Sequence, residues 1–154
     1  MARDEFWFCH PRCIEYAQID AQGVVFNSHY LTFFDTAIYE YLRAVGFDLK
    51  AHVRERGEDF HTVRAEVDFL SPIEYGEEIE VCARVARTGR SSLHFALEIY
   101  RENAADPAAR GRVVWVNTHQ AHRRSVPLPT DLTDRIQSRE TGPRNPGGPA
   151  PTSG

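Results

Sequence analysis

Residues 28–45 read SHYLTFFDTAIYEYLRAV, and this stretch decides the fold. Its apolar side chains recur every three or four positions, at Tyr30, Leu31, Phe34, Ala37, Ile38, Tyr41, Leu42 and Val45. On a helix with 3.6 residues per turn, that spacing gathers them on one face. Asn27 or Ser28 can cap the first turn, and Gly46 stands where helices commonly end in a left-handed residue. The pattern predicts one long amphipathic helix.

The hydrophobic period changes from 3.6 to 2 after this helix and a shorter helical stretch around residues 49–55. Alternation of apolar and polar residues is typical of strands with one face toward a core. Five strands are predicted, one before the helix at about 12–17 and four after it at 62–69, 79–85, 93–99 and 112–121. Turn residues separate the strands at 62–69, 79–85 and 93–99, which predicts that these three form an antiparallel meander.

These elements predict an α+β fold in which a curved antiparallel sheet of about five strands wraps one long helix. The single apolar face of the helix can be buried only against an apolar face of the sheet. A single domain is expected over residues 1–139, with a weak helical signal near Leu132 and Ile136. Residues 140–154 are rich in proline and glycine and predict a flexible tail. Uncovered sheet edges favour self-association, so at least a dimer is expected.

Composition and charge exclude several classes of function. The chain has 154 residues, 42% of them hydrophobic, with a net charge of −4. That acidic balance argues against general binding to nucleic acids or anionic membranes, which needs clustered positive charge. No apolar run reaches 18 residues and the first residues lack a secretory signal, so a cytoplasmic location without membrane association is expected. The odd number of cysteines, Cys9, Cys13 and Cys82, predicts buried thiols in a reducing compartment.

The polar residues of interest lie between the first strand and the long helix. Asp20 precedes the helix, whose first backbone N–H groups have no intrahelical acceptor and can stabilise a developing oxyanion. Gly23 would let the backbone turn closely around a ligand. On composition alone, residues 20–23 could equally be only a turn.

A longer pattern contains these residues. It reads Y-x3-D-x2-GVVF-x3-YL-x2-FD over residues 16–35 and E-x-LR-x2-G over residues 40–46. This pattern resembles the signature of the hotdog-fold acyl-CoA thioesterases of the hydroxybenzoyl-CoA thioesterase type. The similarity extends through V-x-F-x2-P-x2-YGE at 67–77 and the turn GRSS at 89–92, and covers about residues 14–123. The resemblance implies the hotdog fold for the predicted helix and sheet.

The resemblance also implies roles for particular residues. Asp20 would attack the thioester carbonyl or activate the water that does, and a backbone N–H near Asn27 would polarise the carbonyl oxygen. Neither a metal nor an organic cofactor is implied. Many relatives carry a second acidic residue two positions before this aspartate, where this chain has Gln18. Together with Gly23, the substrate-binding candidates in this region are Phe26, His29 and Tyr30.

Basic residues near a predicted turn are candidates for binding coenzyme A. Arg87, Arg90 and Ser91 lie at or beside the turn 88–91, where relatives place basic residues that hold the nucleotide, although solvated charge is the alternative. Asp35, on the flank of the helix, is interpreted as a solvated or subunit-bridging carboxylate. His119 and His122 are expected to point to opposite faces of a strand, so they are not expected to share a metal.

The leading hypothesis is hydrolysis of an acyl-CoA thioester to the free acid and coenzyme A. It predicts a homo-oligomer, a dimer or a homotetramer built from two dimers. One alternative is a hotdog-type dehydratase or hydratase, for which His29 is the obvious histidine near the site. The other is a non-catalytic domain that binds acyl thioesters. The sequence leaves open which acyl group is bound and whether its carrier is coenzyme A or acyl carrier protein.

Overall fold

The predicted long helix, α1, runs over Ser28–Ala44 in the computed structural model, which describes residues 3–142. Two shorter helices follow, α2 at Leu49–Arg56 and α3 at Thr130–Thr141. The strands are β1 Phe8–Cys13, β2 Glu58–Phe69, β3 Glu78–Thr88, β4 Ser92–Arg101, β5 Ala109–His119 and the two-residue β6 Arg124–Ser125. Gly46 has a φ of +86°, the left-handed conformation expected where α1 ends.

The strands form one antiparallel sheet in the order β1-β3-β4-β5-β2, with β6 paired to β5. The buried stripe of α1 includes Phe34, Ile38 and Leu42, which belong to the same core cluster as Val81 and Leu97 of the sheet. The predicted architecture is therefore confirmed: this is the α+β hotdog fold, in which a curled antiparallel sheet wraps a helix.

Gly111 allows the helix to approach the sheet closely. A Cβ atom at this position of β5 would collide with the ring of Phe34 and would lie 2.8 Å from the carbonyl oxygen of Glu66. Backbone and aromatic ring fill the space that a side chain would need, so only glycine fits here without displacing α1 or β2.

Two predictions about the strands are wrong. The opening strand ends at Cys13, and Tyr16 and Ala17, assigned to it from sequence, lie in the 3₁₀ turn Tyr16–Gln18, where Glu15 and Gln18 make a reciprocal capping box. The predicted meander is also incorrect in its first member, because β2 pairs with β5 and not with β3. Hydrophobic alternation within a strand carries no information about which strand lies beside it.

The prediction of three reduced, buried thiols is wrong as well. Cys9 of β1 and Cys82 of β3 stand opposite each other in the sheet and form a disulfide, although 73 residues separate them in sequence. Cys13 is free and exposed. Strand pairing brought the two sulfurs together, which a count of cysteines could not reveal.

The chain after the core differs from the predicted boundary by two residues. Helix α3 continues to Thr141, so Glu140 and Thr141 belong to a helix and not to the tail expected from residue 140. The rest of that predicted tail, residues 143–154, lies outside the described residues. Among residues 3–142, no helix is long and apolar enough to cross a membrane.

Candidate active site

Asp20 lies in a tight loop just before α1. Its backbone N–H donates to the carbonyl of Val24 at 2.9 Å, and its own carbonyl accepts from the N–H of Gly23 at 3.0 Å. Gly23 has a φ of +81°, which favours glycine. One carboxylate oxygen, Oδ1, accepts a hydrogen bond from the N–H of Gln22 at 2.8 Å, so the carboxylate shapes the turn. The other carboxylate oxygen has no hydrogen-bond partner among the described residues.

Neighbouring segments hold this loop in place. The N–H of Val25 donates to the carbonyl of Ile73 at 2.8 Å, and the N–H of Phe26 donates to the carbonyl of Gln18 at 2.9 Å. The Gln18 side chain is buried and accepts from the N–H of Glu15 at 2.9 Å. Gln18, the residue that departs from the family pattern, therefore anchors the loop that carries Asp20 through its backbone carbonyl and its side-chain amide.

The first turn of α1 presents free backbone donors beside this loop. Asn27 is the N-cap residue by position, but its side chain makes no capping hydrogen bond. The N–H groups of Asn27 and Ser28 have no acceptor within the part of the chain that the structure describes. Unpaired donors at a helix N-terminus favour an oxygen that carries negative charge.

Aromatic side chains surround the start of the helix. Tyr30 is buried, and its ring lies edge-to-face against Phe69 with 4.9 Å between the centroids. Burial and, to a lesser degree, the negative charge of Asp20 raise the pKa of the Tyr30 hydroxyl. Phe26 and His29 are in ring contact at 6.1 Å. These contacts join Phe26 to His29 and Tyr30 to Phe69 around the first turn of α1, which follows the Asp20 loop.

Three further aromatic residues near this region were missed from sequence. Phe69 ends β2, where alternation assigned it to the core, yet its side chain is 52% exposed. Tyr16 and Tyr75 are more exposed still and contact each other edge-to-face at 5.8 Å beside the loop. Tyr16 and Tyr75 both belong to the sequence pattern that resembles the thioesterase family, so the pattern could have identified these two residues.

The predicted coenzyme A residues lie at the opposite end of the molecule. The Asp20 loop is bonded to Ile73, shortly before β3 begins, whereas Arg87 lies near the end of β3 and Arg90 and Ser91 lie in the turn that follows it. Ten residue steps along a strand span about 33 Å. Arg87 contacts His94 at 3.2 Å, and the carbonyl of Arg90 accepts from the N–H of Leu128. A single chain does not bring these residues to Asp20.

The structure also shows the surroundings of Asp35 and of the pair His119 and His122. The side chain of Asp35 on α1 is exposed over part of its surface, and burial of the rest raises the pKa of its carboxyl group. His119 and His122 do not point to opposite faces as expected, because β5 ends at His119 and a turn follows. Their rings stack at 4.6 Å, and Nδ1 of His119 accepts from the N–H of His122 at 3.3 Å.

Potential metal ligands gather at one place in the described chain. Cys9, Cys82 and Glu80 have ligand atoms within 4.8 Å of one another. The two sulfurs are bonded to each other, so in this state they are not available as thiolates. This group lies on β1 and β3 and does not include Asp20.

Comparison with known proteins gives consistent results. The family model described as the thioesterase superfamily matches residues 22–108. A 1,4-dihydroxy-2-naphthoyl-CoA hydrolase from Thermosynechococcus vestitus is 26% identical over 129 residues, which span 84% of this chain and 88% of that protein. A thioesterase from Thermus thermophilus, solved in complex with coenzyme A and Zn, is 29% identical with a TM-score of 0.75, covering 90% of this chain and 98% of that one. The PA5185 protein of Pseudomonas aeruginosa is also 29% identical, with a TM-score of 0.80 and coverage of 89% and 94%.

Proposed function

The chain belongs to the thioesterase superfamily of hotdog-fold thioester hydrolases, and we propose that it hydrolyses an acyl-CoA at Asp20, with the N-terminus of α1 as the oxyanion site. The observation that carries this proposal is the juxtaposition of a carboxylate oxygen without a partner and two backbone N–H groups without acceptors, within the described residues, at the start of one helix. Preorganised donors of this kind stabilise charge that develops on a carbonyl oxygen.

Two routes are consistent with this arrangement. In the first, the Asp20 carboxylate attacks the thioester carbon, the carbonyl oxygen becomes an oxyanion near the N–H of Asn27, and the thiolate of coenzyme A leaves and takes a proton. Water then cleaves the resulting anhydride and restores the carboxylate. In the second, Asp20 removes a proton from water as the water attacks the same carbon. Both routes consume one water and release the acid and the thiol.

The proposed substrate is an acyl-CoA ester whose acyl group is aromatic. Phe26, His29, Tyr30 and Phe69 surround the helix start with aromatic faces and edges, and aromatic groups associate best with such partners. The similarity to hydrolases of 1,4-dihydroxy-2-naphthoyl-CoA supports the same class. The sequence pattern, which resembles that of the hydroxybenzoyl-CoA thioesterase type, left the acyl group open. We assign coenzyme A as the carrier in preference to acyl carrier protein because a similar thioesterase was solved with coenzyme A bound.

A second copy of the chain completes the site in this proposal. The outer edge of β2 has no strand partner among residues 3–142, and Val63, which alternation had predicted to be buried, is 61% exposed on this strand. Antiparallel pairing of two β2 edges about a two-fold axis would reverse the partner end to end. The partner's turn with Arg90 and Ser91 would then lie toward the Asp20 end of the first chain. The assembly is a dimer, or a tetramer made of two such dimers.

The test is release of free thiol from a panel of aromatic and aliphatic acyl-CoA esters by the wild type and Asp20→Asn. The asparagine oxygen can still accept from the N–H of Gln22, so the turn is preserved while the charge is lost. We expect the rate to fall roughly 10²-fold or more, as for a positioned nucleophile or base. Asp134→Asn, an exposed change on α3, is the control and should keep the wild-type rate.

Other outcomes would overturn parts of the proposal. Equal rates for the wild type and Asp20→Asn would leave Asp20 as a turn residue only. Binding of acyl-CoA without hydrolysis of any ester would favour a non-catalytic binding domain. Hydration or dehydration of the acyl group with an intact thioester would favour the hydratase alternative.

A further inference from the structure

The Cys9–Cys82 disulfide lies on the face of the sheet that points away from α1. Residues Val81 and Ala83, on either side of Cys82, belong to the main core around the helix, whereas Cys82 belongs to a separate cluster with Phe6 and Tyr100. Cys9 packs against this second cluster and is only half-buried. The disulfide is therefore outside the candidate active site and outside the core that supports it.

A short N-terminal segment, Arg3–Phe6, covers the disulfide. Phe6 is 3% exposed and packs into the cluster, and Arg3 forms an ion pair with Glu80, whose carboxylate lies within 4.8 Å of both sulfurs. A cleft of about 760 Å³, lined in part by Arg3, Glu80 and Tyr100, opens next to it. A small molecule could therefore reach the neighbourhood of Cys9 from solvent.

We propose that Cys9 and Cys82 form a reversible redox site that exchanges with low-molecular-weight thiols and disulfides, and that its oxidation state determines whether the segment Arg3–Phe6 stays docked. The proposal does not depend on the proposed hydrolysis. It rests on the register of β1 and β3, the partial exposure of Cys9, and the short segment Arg3–Phe6 that covers the two cysteines.

Reduction of the pair takes two thiol–disulfide exchange steps. A thiolate attacks Sγ of Cys9 and forms a mixed disulfide, while the Cys9–Cys82 bond breaks and its electron pair leaves on Sγ of Cys82, which takes a proton. A second thiolate attacks the sulfur of the attached small molecule, which departs as a symmetric disulfide and leaves Cys9 as a thiolate that is then protonated. Attack begins at Cys9 because Cys82 is fully buried.

The packing around the disulfide explains why its reduction is expected to release the segment Arg3–Phe6. Two sulfurs are about 2 Å apart in a disulfide, whereas non-bonded atoms need about 3.5 Å or more. Phe6, Cys82 and Tyr100 are buried together against Cys9, so we expect separation of the sulfurs to displace a neighbour in this cluster. The Arg3–Phe6 segment is the neighbour that moves most readily, since β1 and β3 stay joined by six residue pairs and by the main core.

The experiment uses the full chain equilibrated in glutathione buffers from fully oxidising to fully reducing. Thiols are trapped by alkylation and located by mass spectrometry, and hydrogen exchange is measured over residues 3–8. We expect Cys9 and Cys82 to convert together in the native protein. Exchange in residues 3–8 should become roughly 10-fold faster or more in the reduced form, as for a local opening, while β4 and β5 stay protected.

Matched variants separate this site from the third cysteine. Cys9→Ser with Cys82→Ser should show fast exchange over residues 3–8 in every buffer, and Cys13→Ser should behave like the wild type. Three free thiols under oxidising conditions would overturn the proposal. So would a pair that glutathione reduces only after denaturation, or a reduced pair with unchanged exchange over residues 3–8. If the double variant does not fold, hydrogen exchange over residues 3–8 in the oxidised and reduced wild type still tests the proposal.

Discussion

Gln18 illustrates how one residue can depart from a family pattern and still serve the site. Where relatives carry a carboxylate, this chain places a buried amide that accepts from the N–H of Glu15 while the Gln18 carbonyl accepts from the N–H of Phe26. An unpaired carboxylate buried here would be costly, and it would add a negative charge two residues from Asp20. The neutral amide of Gln18 avoids both effects while it anchors the loop that carries Asp20.

Buried tyrosines make stability depend on alkaline pH. Burial, reinforced by the carboxylate of Glu140, raises the pKa of Tyr41 well above its usual value, so this hydroxyl stays protonated in the folded chain. The unfolded chain loses that proton near pH 10. The stabilisation that protonated Tyr41 provides is fully present below pH 10 and decreases above it, by about 1.4 kcal/mol per pH unit. Burial raises the pKa of Tyr30 and Tyr100 in the same direction.

The variant Tyr41→Phe should therefore show a shallower fall of unfolding free energy between about pH 10 and pH 11.5, the range just above the pKa of an unfolded tyrosine. Denaturant titrations at several pH values in that range measure the slope. An unchanged slope would mean that Tyr41 ionises alike in the folded and unfolded chains. Tyr16→Phe is the control, because Tyr16 is exposed and the slope should stay as in the wild type.

At the scale of elements, one carboxylate of α3 is bonded to three other segments of the fold. Oε1 of Glu140 accepts from the hydroxyl of Tyr41 at 2.5 Å, from Nε1 of Trp7 at 2.9 Å and from the N–H of Val85 at 2.9 Å. These donors belong to α1, to the chain just before β1, and to β3. A carboxylate that accepts several hydrogen bonds makes stronger bonds than a neutral acceptor.

Loss of this carboxylate should destabilise the protein strongly. Glu140→Ala leaves three donors unpaired, and we expect the free energy of unfolding to fall by roughly 3 kcal/mol. Chemical denaturation measures the change. Ser138→Ala, an exposed substitution on the same helix, should change the free energy by less than about 0.5 kcal/mol. A loss for Glu140→Ala as small as that control would show that α3 is held by its apolar contacts alone.

The whole molecule has one long strand edge that the single chain leaves open within its described residues. Strand β2 runs over Glu58–Phe69 at the end of the sheet, has a register irregularity between Thr62 and Arg64, and exposes the apolar side chain of Val63. Long edges with exposed apolar residues tend to pair with other strands. The distance between Asp20 and Arg90 within one chain is a second reason to expect that the working unit has two chains.

A charge placed on this edge should separate the subunits. Val63→Lys puts like charges near each other across the proposed two-fold axis, so we expect the mass from sedimentation to fall by half, with the fold retained. Val53→Lys, an exposed substitution on α2, is the matched control and should leave the mass unchanged. An unaltered mass for Val63→Lys would place the interface elsewhere.

The sequence by itself determined the helix, most of the strands and the location of the candidate site. Residues 28–45 carry their helical period locally, so α1 was predicted to within one residue at its end, and the pattern around Asp20 identified the loop that precedes it. Gly46 likewise adopts the expected conformation. These features depend on neighbours a few residues apart, which the sequence displays directly.

Tertiary structure alone decided the strand neighbours, the disulfide and the separation of Asp20 from the predicted coenzyme A residues. β2 lies against β5, Cys9 lies against Cys82, and Arg90 lies at the end of β3 remote from Asp20. The exposure of Phe69 and the anchoring role of Glu140 also follow from contacts between distant segments. Each such contact closes a long loop and is chosen by the packing of the whole core, so no local pattern specifies it.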